Sequence, residues 1–81
     1  MDRYPTIEFS DDFLMAFADR KFSTADRRAI LKAIGLLDSD ERHPSLRVHQ
    51  LEGDMDGSWT CYASRSLRIV FTRRADGRKR A

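Results

Sequence analysis

Between His43 and Phe71 the chain reads HPSLRVHQLEGDMDGSWTCYASRSLRIVF, and this stretch constrains the fold more than any other. Apolar and polar side chains alternate in short runs, and a period of two is the signature of a strand. Three runs follow one another: Leu46 to Leu51, Trp59 to Ala63 and Leu67 to Thr72. A loop bracketed by Gly53 and Gly57 separates the first two, and Ser64-Arg65-Ser66 makes a tight connection between the last two. Strands joined so closely pair antiparallel, so the second half of the chain is expected to be a meander. Leu46 and Val48 share one face of the first run, with Arg47 and His49 on the other. Leu67, Ile69 and Phe71 share one face of the last, with Arg68 and Val70 opposite. His43-Pro44 opens the section, because the residue before proline is pushed out of helical angles.

The first half reads differently. Tyr4 to Phe9 is β-favouring, with Pro5 tolerable near a strand start. Ser10 is a good N-cap, and Asp11 and Asp12 then sit where a helix dipole favours negative charge. Phe13, Ala16 and Phe17 fall on one face of a short helix expected to end near Lys21. Ser23 and Asp26 form a capping-box-like pair for a second helix. Ile30, Ala33, Ile34 and Leu37 make its apolar stripe, and Arg27, Arg28 and Lys32 suit its outer side. The expected architecture is α+β, in the order β-α-α-β-β-β, with two N-terminal helices across one face of a small antiparallel sheet. At 81 residues the chain is long enough for one domain, residues 1–81, with a basic tail at 73–81.

Charge is unevenly spread. The net charge is +2, yet only four acidic residues follow position 41, and RRADGRKRA at the end holds five basic groups. A basic half suits a face presented to a polyanion. The single cysteine, Cys61, excludes an internal disulfide, and no Cys/His cluster has metal-ligand spacing. No cofactor or metal is expected. A reducing, cytoplasmic setting fits, and neither a signal-peptide core nor a membrane-spanning run is present in the sequence.

The order of elements resembles a known family. Leu46-Arg-Val-His-Gln-Leu-Glu-Gly53, Trp59 after a Gly-containing loop, and Ser66-Leu-Arg-Ile-Val-Phe71 together resemble the RelE/ParE superfamily of toxins from bacterial type II toxin–antitoxin systems, over roughly residues 4 to 72. The resemblance implies a microbial-ribonuclease-like fold and a cognate antitoxin as partner. It also implies either ribosome-dependent cutting of messenger RNA, the RelE/YafQ-like activity favoured here, or ParE-like poisoning of DNA gyrase. Homodimers and antitoxin hetero-oligomers both stay open.

Metal-free RNA cleavage needs a base for the ribose 2′-OH, a cation at the phosphate and an acid for the leaving 5′-oxygen. Arg68 is the best-placed cation. It can grip phosphate through two parallel bonds, and it falls on the arginine of the family's Arg-Ile-Val-Phe phrase. The bland alternative is an arginine paired with a helix carboxylate. His49 is the candidate acid/base, because an ordinary imidazole titrates near neutral pH; it resembles a histidine that YafQ-like members use. The alternative is a solvent-facing histidine on an edge strand. Arg47 and Arg65 are expected to hold RNA phosphates, and Tyr62 to stack on a base. Trp59 is assigned to packing.

Two departures from the family stand out. Thr60 and Tyr62 occupy the positions where RelE itself carries lysines, so a lysine base is not supported. The family's last strand, with its His or Tyr, is expected to be absent: Asp76-Gly77 is a strong hairpin turn, but only Arg78-Lys79-Arg80-Ala81 follows it. The sequence therefore favours a truncated end, with the edge of the Leu67–Thr72 strand open to an added strand. A crippled nuclease and an inactive, antitoxin-binding relic both remain readings at this point.

Overall fold

The computed structural model describes residues 3–53 and 57–81. The centre of the expected glycine-bracketed loop, residues 54–56, lies outside them. The protein is a small α+β domain of two helices and a five-stranded mixed sheet. In chain order the elements are β1 (Ile7–Glu8), α1 (Asp11–Phe17), α2 (Thr24–Ser39), β2 (His49–Gln50), β3 (Trp59–Tyr62), β4 (Arg68–Arg73) and β5 (Lys79–Arg80). None of the described helices is long and apolar enough to cross a membrane.

Local chemistry sets the helix starts. The Ser10 hydroxyl accepts from the Phe13 amide at 3.0 Å. Ser23 and Asp26 close a full capping box, each side chain accepting from the other's amide at 3.0 Å. Each such cap contributes about 1 kcal/mol. Helix α1 ends at Phe17, a turn short of the Lys21 expected. The Arg27 guanidinium of α2 donates to the Phe17 and Asp19 carbonyls, at 2.9 and 2.7 Å, and so satisfies backbone that a longer helix would have used.

Helix α2 carries the core. Its Ile30, Ala33, Ile34 and Leu37 are buried against Ile7, Leu46, Cys61, Ile69 and Phe71, the inner face of the sheet. Helix α1 buries no residue fully. It is held by a half-buried ladder of stacked rings, Phe9, Phe13 and Phe17, with centroids 5.1 and 6.2 Å apart. Asp38, near the end of α2, accepts from both the amide and the hydroxyl of Thr6, tying the chain before β1 to the helix.

The sheet order is β1-β5-β4-β3-β2, which corrects two expectations. First, the sheet is mixed rather than antiparallel, because β1 and β5 run parallel. Second, the β4 edge is not open. Asp76-Gly77 does turn the chain, with Gly77 at a φ of 89° and Arg74 donating to the Arg78 carbonyl at 2.7 Å. The four residues that follow are then enough to seat a strand. Lys79 and Arg80 lie opposite Arg73 and Thr72 of β4 on one side and Ile7 and Glu8 of β1 on the other. The Lys79 amide donates to Thr6, the Ala81 amide to Glu8, and the Ser10 amide to Ala81. Outside the sheet plane, Glu8 pairs with both Arg80 and Arg74.

The first strand of the meander is shorter than its alternation suggests. Pro44 to Leu46 forms a turn, and only His49 and Gln50 pair with β3. Continuing that register would set Arg47 opposite Tyr62. The Tyr62 amide instead donates to Leu46 at 2.7 Å, and Arg47 takes a left-handed φ of 48°. One extra residue on this strand, unpaired and bent, is a β-bulge. It turns Arg47 out of the alternation that grouped it with His49.

Candidate functional site

Antiparallel neighbours point to the same side of a sheet, so the register decides which predicted residues meet. Tyr62 lies opposite Arg68, Thr60 opposite Val70, and His49 opposite Thr60. With Cys61, Ile69 and Phe71 turned to the core, these residues make up the outer face. Arg68, His49 and Val70 are exposed there, while Thr60 is buried beneath them, its hydroxyl donating to the Ile69 carbonyl at 3.2 Å.

Tyr62 is the centre of the cluster. The Arg68 guanidinium lies over its ring, 4.9 Å from the centroid. The His49 ring is 6.3 Å away and tilted by 35°. An arginine laid on an aromatic face is held in place by the ring's quadrupole and keeps its hydrogen-bonding edges free. Among the described residues Arg68 makes no ion pair with a carboxylate, so its charge is available. His49 is oriented from behind: its Nδ1 lies 2.7 Å from the Arg47 carbonyl oxygen. A carbonyl can only accept, so Nδ1 is the donor in this contact, and Nε2 is the nitrogen left to meet a ligand. The bulge that displaces the Arg47 side chain thus aims its carbonyl at the histidine.

Arg47 and Arg65 do not join Arg68 and His49. They line a groove of about 760 Å³ between α2 and the β3–β4 connection, together with Lys32 and one side of Tyr62. The five residues singled out from sequence therefore fall into two neighbouring groups that share Tyr62. Stacking of a base on Tyr62 competes with Arg68 for the ring face that the guanidinium covers.

Two cations near these groups were not singled out from sequence. Lys32 reads in the sequence as an outer-face interruption of α2, but it borders the groove; its position three residues after Ala29 and four before Leu36 was the available signal. Arg73 reads as tail. It is the last residue of β4, lies 4.4 Å from the centre of the Trp59 ring, and pairs with Glu41 at 2.8 Å. That bond is the main cause holding the Glu41 carboxyl below its usual value, against an opposing push from burial. Trp59 itself is half-buried and packs against the core. Among the described residues, no group of three or more His, Cys, Asp or Glu side chains could hold a metal ion. Cys61 is buried, with its thiol pushed up to about 11 by loss of solvent, and so is far from a reactive thiolate. No protein-family model, curated protein or solved structure matches the chain.

Proposed function

We propose that the protein is a RelE/ParE-like toxin of a bacterial type II toxin–antitoxin system that cuts messenger RNA on the ribosome, in the cytoplasm, with a microbial-ribonuclease-like arrangement of its helices and sheet. One observation carries the reading: an exposed arginine with no carboxylate partner among the described residues, held on a tyrosine ring beside a histidine whose Nδ1 lies against the Arg47 carbonyl. This pairing supplies what metal-free phosphodiester cleavage needs. His49 Nε2 takes the proton of the ribose 2′-OH as that oxygen attacks phosphorus. Arg68 donates to the non-bridging oxygens as negative charge builds on them. The bond to the 5′-oxygen breaks, and the proton returns from the His49 imidazolium to the leaving oxygen. The products are a 2′,3′-cyclic phosphate and a 5′-hydroxyl. Arg47 and Arg65, beyond Tyr62, hold phosphates of the flanking strand, and a cognate antitoxin is the protein partner.

One observation favours a second reading, in which the chain binds gyrase or an antitoxin and cuts nothing. Thr60 stands where RelE has a lysine, and it is buried with its hydroxyl committed to Ile69. The test is cleavage of messenger RNA on programmed ribosomes by the chain, Arg68→Ala and His49→Ala. The proposal expects each substitution to slow cleavage by about 10²-fold or more. A folded, unmodified chain that leaves the message intact would transfer the assignment to the second reading.

A further inference from the structure

We infer that Arg47 is a positioning residue for His49, acting through its main-chain carbonyl and the left-handed backbone that aims it. The consequence for cleavage rests on the ribonuclease reading; the control of the ring does not. Among the described residues, Arg47 is the one residue other than glycine with a positive φ, 48°. A residue with a Cβ is strained there, so the fold must hold it in place. Two fixed points do so. On one side the Leu46 carbonyl accepts from the Tyr62 amide at 2.7 Å, and the Leu46 side chain is buried in the core. On the other side His49 is paired with Thr60. Arg47 and Val48 must therefore span the length that Cys61 alone covers on β3. The backbone takes up the surplus by turning left-handed at Arg47.

In a regular strand a carbonyl points along the sheet toward the neighbouring strand, and the side chain two residues on leaves through the sheet face. The two do not meet. Here they do: the Arg47 carbonyl oxygen is 2.7 Å from His49 Nδ1. The carbonyl has no proton to give, so the contact selects the neutral ring with its proton on Nδ1 and keeps Nε2 as the acceptor. His43 supplies the opposite case in the same chain. Its Nδ1 lies 3.2 Å from the Ser45 amide, which can only donate, so that neutral ring keeps its proton on Nε2. The Arg47 side chain lines the groove beside α2, which neither His49 nor Arg68 lines. What its charge does is thus separable from what its backbone does.

The test compares Arg47→Gly with Arg47→Val in the intact chain. Both remove the charge, but glycine accepts a positive φ freely and a β-branched residue resists it. The first readout is the nitrogen-15 spectrum of the two imidazoles at pH 8, where an ordinary histidine is neutral, with His49 assigned through His49→Ala. In the parent and in Arg47→Gly, His49 should show a protonated Nδ1 and a bare Nε2, and His43 the reverse. In Arg47→Val the His49 pattern should be lost, with His43 and the circular dichroism spectrum unchanged. If Arg47→Val does not fold, Arg47→Ala, which resists a positive φ less strongly, takes its place. The second readout is cleavage on programmed ribosomes, where Arg47→Gly should cut at least about tenfold faster than Arg47→Val. A parent His49 with its proton on Nε2 overturns the inference, as does a His49 pattern that survives Arg47→Val. Equal cleavage by the two variants of a parent that cuts also overturns it, and leaves Arg47 as a phosphate contact alone. An intact message with the parent and every variant, beside the expected ring patterns, sinks the ribonuclease reading and supports the control of His49 by Arg47.

Discussion

Replacing Lys79 by proline tests the placement of β5 between β1 and β4. The Lys79 amide donates to the Thr6 carbonyl at 2.8 Å, and a proline has no proton to give. The lost bond is worth about 1 kcal/mol net, and leaving the half-buried Thr6 carbonyl unpaired costs roughly 1–3 kcal/mol more. The Lys79 side chain is itself buried, at 7 % exposure, so Lys79→Ala must be measured beside it to remove the side-chain contribution. The backbone effect, Lys79→Pro minus Lys79→Ala, is then about 3 kcal/mol. For a domain of this length 1 kcal/mol shifts Tm by roughly 4–8 °C, so the two variants should differ by roughly 12–24 °C. The assay is thermal unfolding followed by circular dichroism, with urea unfolding as a check that the transition stays two-state. A basic tail lying free in solvent would lose nothing to a proline. Variants melting within roughly 4 °C of each other would refute the central position of β5 and restore the open β4 edge.

Two further outcomes follow from the ionisable groups. The Glu41 carboxyl is held below its usual 4.5 by the bond from Arg73, so its contribution is present above the unfolded value and lost as pH falls through the lower folded value. The Tm advantage over Glu41→Gln should therefore be constant near neutrality and shrink below about pH 4.5; it should be small, since both side chains are more than a third exposed, and an advantage that grows in acid would contradict the assignment. Cys61, with its thiol raised to about 11, should resist a disulfide-exchange reagent at pH 8 in the folded protein and react fully in urea; rapid labelling under native conditions would show that the inner sheet face is open.

Much of the fold was legible because its signals are local. Ser10, and Ser23 with Asp26, announce helix starts through bonds that span three residues. The stripe Ile30-Ala33-Ile34-Leu37 names its buried face by spacing alone. Strands β3 and β4 fall within a residue of their alternating runs. What was not legible is non-local or side-chain-independent. Nothing in Ile7-Glu8 or Lys79-Arg80 announces a parallel pairing between them, because a parallel ladder needs no turn to mark it. The left-handed Arg47 carries no glycine or asparagine to flag it, so the alternation of Leu46–Leu51 gave no hint of a bulge. The same distinction runs through the site. Arg68 and Tyr62 meet as soon as the register of two adjacent strands is known. The groove at Arg47 and Arg65 needs α2 docked on the sheet before it exists.

The parallel contact between β1 and β5 also dictates an order of events. Closing β4 on β5 joins Arg73 to Lys79 through a short turn, whereas closing β1 on β5 joins Ile7 to Lys79 across nearly the whole chain. By loop-closure entropy alone the second step costs about 2 kcal/mol more than the first. During synthesis, Tyr4 to Phe9 must wait without strand partners until Lys79 and Arg80 have emerged. The hairpin at Asp76-Gly77 then delivers those residues as a latch between β1 and β4. In the finished sheet β1 touches no strand but β5, so the place of the first strand is defined only by the last.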